Sequence, residues 1–96
     1  MRRVTGLSII AISADPGRFR SALGLAAAHA ALGGRTRLLL DGEASRLVIL
    51  PPDDLLQTCF DLGASITICQ SGLAAVGVDA GTLDPRFTYG GLVGML

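Results

Sequence analysis

The chain has 96 residues, half of them apolar, with eight acidic side chains balanced by eight basic ones, all arginine. That length makes one domain. The balanced, dispersed charge excludes a nucleic-acid stripe or a basic membrane patch, and the absence of lysine excludes Schiff-base lysine chemistry within this chain.

The first expected element is a strand over Leu7 to Ser13, apolar almost throughout, as a strand covered on both faces should be. Met1-Arg2-Arg3 followed by Val4 to Ala14 also resembles a weak signal peptide. The β-branched, strand-like pattern of Leu7 to Ile12 argues instead for a central strand. Asp15-Pro16 reads as an N-cap with proline at the first helical position, opening a helix from about Gly17 to Leu32 that Gly33-Gly34 stops.

A second buried strand covers Thr36 to Leu40, with Asp41-Gly42 as the turn at its carboxyl end. Leu47 to Leu50 is ambiguous between a short edge strand and an irregular stretch. Pro51-Pro52-Asp53-Asp54 opens a second helix through Leu62, with Gly63 after its end. Ser65 to Cys69 is the next strand, Leu73 to Val76 a short helix, Asp79 to Thr82 a turn and Arg86 to Tyr89 a last strand. Gly90-Gly91 then leads into an apolar tail. Strands alternating with helices predict an α/β fold, a three-layer α/β/α sandwich with a mostly parallel sheet of four to five strands.

A chain of this mass has roughly 5,000 Å² of accessible surface. Sixteen charged side chains are few for such an area. Burial of apolar surface against another copy resolves the mismatch, so a homo-oligomer is expected. No stretch reaches transmembrane length. Two cysteines and one histidine make neither a disulfide scaffold nor a zinc site, and a reducing, cytoplasmic setting is the simpler assumption.

Cys69 is the principal candidate site. A thiol at the carboxyl end of a strand, facing a helix amino terminus, sits where open α/β sheets bind ligands. Unpaired N–H groups there stabilise a thiolate, the reactive form of sulfur. Gln70, Ser71 and Gly72 would cap the helix and cradle an anionic sulfur species. Arg18, Arg46 and Arg86 lie on loops that could bring positive charge to the same sheet edge, though each is otherwise an ordinary surface arginine. Cys59 reads as core packing beside Leu55 and Leu62, with a resolving partner for Cys69 as the alternative. His29 reads as a helix-interface residue rather than a proton shuttle. Asp15 and Asp41 are explained by their cap and turn.

The alanine-rich helix Ser21 to Gly33, the segment Thr36 to Gly42, the run Leu62 to Val78 around Cys69, and Tyr89-Gly90-Gly91-Leu92-Val93 together resemble the DsrE/DsrF-like family of small sulfur-relay proteins. The resemblance runs from about Leu7 to Leu96. It implies that Cys69 carries a persulfide between sulfur donor and acceptor proteins, as a sulfurtransferase or persulfide carrier within an α/β/α oligomer, without metal or organic cofactor. The contrasting expectation is a non-catalytic assembly or regulatory module in which Cys69 only packs. A thiol peroxidase fits less well, because the threonine-and-proline setting is missing before Cys69.

Overall fold

A computed structural model describes residues 6–49 and 54–91. The elements are β1 (Leu7–Ala11), α1 (Pro16–Ala31), β2 (Thr36–Leu40), a 3₁₀ segment (Gly42–Ile49), α2 (Asp54–Asp61), β3 (Ser65–Cys69), α3 (Gln70–Ala75), a 3₁₀ turn (Ala80–Thr82) and β4 (Thr88–Gly90). The four strands form one sheet in the order β1-β2-β3-β4, every pair parallel. This is an α/β architecture built on an all-parallel sheet.

Alternation along the strands decides where the core lies. Leu38 and Leu40 of β2 and Ile66 and Ile68 of β3 point to one face and are fully buried. Leu23, Ala26 and Ala30 of α1, Cys59 of α2, Ala44 and Leu47 of the 3₁₀ segment, and Leu73 of α3 join them in a single cluster. The described helices therefore pack on that face. Each fully buried leucine or isoleucine contributes about 1.5–3 kcal/mol of transfer free energy. The other face carries Ser8, Ile10, Arg37, Leu39, Thr67 and Thr88, with Leu39 buried and Ile10 partly exposed.

The start of α1 is as the sequence requires. Asp15 is extended, its carboxylate accepts from the Arg18 N–H at 3.0 Å, and Pro16 occupies the first turn. β1 ends at Ala11 rather than Ser13, whose hydroxyl instead accepts from the Asp15 N–H at 3.2 Å.

Three further expectations change. The stretch from Leu47 is neither strand nor irregular: Gly42–Ile49 is one 3₁₀ segment packed on α3, with Ala44, Ser45 and Leu47 buried. The helix after β3 begins at Gln70 rather than Leu73, because Cys69 itself caps it. The last strand begins at Thr88 rather than Arg86. There the Asp84 carboxylate accepts from the Arg86 N–H at 2.9 Å, and Phe87 N–H donates to Asp84 O, holding the chain in a turn. Leu50, the Pro51-Pro52-Asp53 opening of α2 and the apolar tail after Gly91 lie outside the described residues. No described helix is long and apolar enough to cross a membrane.

Candidate functional site

Cys69 is the last residue of β3 and the N-cap of α3, with extended backbone (φ −61°, ψ 120°). Its Sγ accepts from the Gly72 N–H at 3.4 Å, and the side chain is half-buried. A cap position needs an acceptor for the N–H groups that the first helical turn leaves unpaired. Here sulfur fills that role, so the strand passes directly into the helix without a loop. Gln70 and Ser71 are exposed in the first turn, and among the described residues only Gly72 donates to the sulfur.

Gly72 is buried at the seam between α3 and the 3₁₀ segment. A methyl group on its Cα would overlap the Ser45 hydroxyl and lie 2.7 Å from the Gly42 carbonyl oxygen. Only glycine allows this approach. Ser45 is fully buried, and its Oγ has no hydrogen-bond partner among the described residues. Buried hydroxyls are nearly always paired, which makes this seam exceptional. Sequence reading missed Ser45, because its burial depends on α3 packing over it and no local pattern announces that.

The three arginines divide. Arg46 is exposed on the 3₁₀ segment, one residue from Ser45 and at the carboxyl end of the sheet. Arg18 is exposed at the start of α1, also at the carboxyl end but beside β1, two strands from Cys69. Two strand spacings are roughly 10 Å.

Arg86 is removed from the thiol altogether. Thr88 pairs with Thr67 and Gly90 with Cys69, so Arg86 lies level with the amino end of β3. Its guanidinium donates to the Asp84 carboxylate at 2.8 Å and to Gln57 Oε1 at 2.7 Å, and stands 4.5 Å above the Phe60 ring. Asp61 is 3.6 Å away. Hydrogen bonds from Arg86 hold the Asp84 carboxyl down at about 2, and Asp84 raises Arg86 in turn. Arg86 is an ion-pair anchor at the opposite end, because β4 starts later than expected.

Cys59 and His29 also belong to that end. Cys59 is fully buried and its S–H donates to Leu23 O at 3.2 Å. Its carbonyl accepts from the Ala64 N–H, and Ala64 is about 16 Å from Cys69 along an extended strand. The roughly 4.4–6.8 Å needed between disulfide Cα atoms is out of reach, so Cys59 is a core residue and not a resolving partner. His29 Nδ1 lies 2.9 Å from Thr36 Oγ1, and that hydroxyl donates to Gly34 O at 3.1 Å. With the threonine proton committed, Nδ1 is assigned as the donor. A proton shuttle from His29 to Cys69 is ruled out by this position.

Next to α3 lies a shallow depression of about 340 Å³, lined by Gln70, Leu73, Ala74, Val78, Asp79, Ala80 and Tyr89. It borders the cysteine's helix rather than enclosing the sulfur. Among the described residues no group of three or more histidine, cysteine, aspartate or glutamate side chains is placed to hold a metal ion. Neither protein-family models nor curated proteins give a match to this chain.

Proposed function

We propose that the protein carries sulfane sulfur as a persulfide on Cys69, within a homo-oligomer that exchanges sulfur with donor and acceptor proteins. The reading rests on one observation: a half-buried thiol that ends a central strand receives an N–H from the helix it caps. In the transfer, the Cys69 thiolate attacks the outer sulfur of a donor persulfide. The donor's S–S bond breaks as the new one forms, the donor leaves as a thiol, and no net oxidation occurs. The reverse step passes the sulfur to an acceptor thiolate. Gln70 and Ser71, exposed beside the sulfur, would meet the partner protein, and Arg46 would supply positive charge to an acidic partner surface. A cytoplasmic setting fits a chain whose two cysteines, Cys59 and Cys69, are not joined to each other.

The competing reading is an assembly module in which Cys69 only caps its helix. The exposed Ile12, Leu25, Leu32 and Ile49 side chains favour it, since surfaces of this kind are usually covered by a partner.

Intact-mass measurement after incubation with a small-molecule sulfane-sulfur donor separates the two. Gain of a single sulfur on the wild-type chain, absent from Cys69→Ser, is the expected result. Equal labelling of both chains, or of neither, rejects the carrier.

A further inference from the structure

The outer edge of β1 and one flank of α1 border a common groove. Leu7 N–H donates to Arg35 O, and Ala11 O accepts from Asp41 N–H. Odd-numbered residues of β1 thus direct their backbone groups toward β2. In a parallel ladder the alternate residues face the other way, so Ser8, Ile10 and Ile12 present N–H and C=O groups outward. No described strand pairs with that edge. Proteins usually blunt a free edge with charge, proline or a bulge, yet Leu7 to Ala14 contains neither a charge nor a proline. Ile10 is 41% exposed and Ile12 71%.

α1 supplies a second, independent observation. Arg18, Ala22, Leu25, His29 and Leu32 recur at spacings of four, three, four and three, the pattern of a helix–helix seam. Arg18 and Ala22 border a groove of about 230 Å³ along the β1 edge, opposite residues Ile9 to Ser13. Gly24, around the helix, faces Leu55 of α2 instead. Leu25 is 55% exposed and Leu32 72%.

We propose that β1 pairs antiparallel with β1 of a second copy about a two-fold axis at Ile10, extending the sheet through both copies. Ile10 then faces its own symmetry mate, and Ser8 faces the second copy's Ile12. α1 packs on both β1 and β2, so the two α1 helices come about two strand spacings apart, roughly 9.5 Å. That matches the ~8–10 Å of packed helices. Ala22, beside the middle of β1, is small enough for the helices to approach near the axis. With no charge in the strand, self-pairing sets no like charges opposite one another. A second copy answers the strand edge and the helix seam with one symmetry operation, whereas an extended peptide answers only the edge. The pairing does not depend on the sulfur chemistry.

Ile10→Pro is the first test. The Ile10 N–H faces outward, so proline there leaves the chain's own ladder intact while blocking the partner. In sedimentation under reducing conditions, wild type runs as a dimer and Ile10→Pro as a monomer with an unchanged circular dichroism spectrum. The second test uses engineered thiols in a Cys69→Ser chain. Facing Ile10 positions put Cα atoms about 5.5 Å apart, within disulfide range, whereas symmetry-related Ile12 positions are about 14 Å apart. Mild oxidation therefore cross-links Ile10→Cys and leaves Ile12→Cys uncoupled, a result that stands even where Ile10→Pro does not fold. A monomeric wild type, a dimer that survives Ile10→Pro, or equal cross-linking at both positions overturns the interface. So does a monomer with slowly exchanging β1 amides, which places a segment of the same chain on the edge.

Discussion

The two ends of the sheet are built differently. At the amino end, His29, Thr36 and Gly34 form a closed chain of hydrogen bonds. Arg86 is held there by Asp84, Gln57 and the Phe60 ring, which meets Phe87 edge-on at 5.2 Å. At the carboxyl end, the buried Ser45 hydroxyl has no partner among the described residues and a half-buried sulfur receives a long N–H bond. Paired polar groups stabilise and fix geometry, while unpaired ones cost stability and persist where something else maintains them. The contrast separates an end whose polar groups are paired from one with an unpaired hydroxyl and a half-buried thiol, the end at which open parallel sheets bind ligands.

Substitution can break the contrast or sharpen it. Gly72→Ala should have the largest effect, about 1–3 kcal/mol of lost stability in denaturant unfolding, since the new methyl meets a backbone oxygen that cannot move freely. It should also lift the Gly72 N–H from the sulfur. Thr36→Val keeps the shape but leaves Nδ1 of His29 and the Gly34 carbonyl unpaired, costing about 1–2 kcal/mol. Ser45→Ala, by contrast, removes a hydroxyl that bonds to none of the described residues. Stability should hold or rise by up to about 1 kcal/mol. A loss as large as that of Thr36→Val would mean that the two ends are alike.

The smallest effect is at Asp84. Its carboxyl is held at about 2, below the ordinary 3.8, so its pairing contributes stability fully above about pH 4 that is lost as pH falls toward 2. An NMR titration of the Asp84 carboxyl should give a midpoint near 2, moving up toward the ordinary value in Arg86→Ala.

Much of this fold was legible because the determining signals are local. Thr36–Leu40 and Ser65–Cys69 are apolar runs between glycine-containing turns, and their bounds follow from the residues alone. Asp15-Pro16 marks a helix start for the same reason. The 3₁₀ segment was not legible, since its burial comes from α3, which arrives later in the chain. Nor was the true start of α3: cysteine is not among the usual capping residues, so Gln70 to Ser71 reads as a loop. Arg86 was misplaced because its position depends on strand register, which spacing does not reveal. Among the candidate site residues, Cys69 and Gly72 are in contact and Arg46 lies at their end of the sheet, while Arg18 sits two strands away at the same end.

The claim that one thiol is held and the other is available can be measured by native-state alkylation with peptide mapping. Cys69 should react while the fold is intact, and Cys59 only as fast as the chain unfolds. Comparable rates at both cysteines, or faster modification of Cys59, would contradict the division between the two ends.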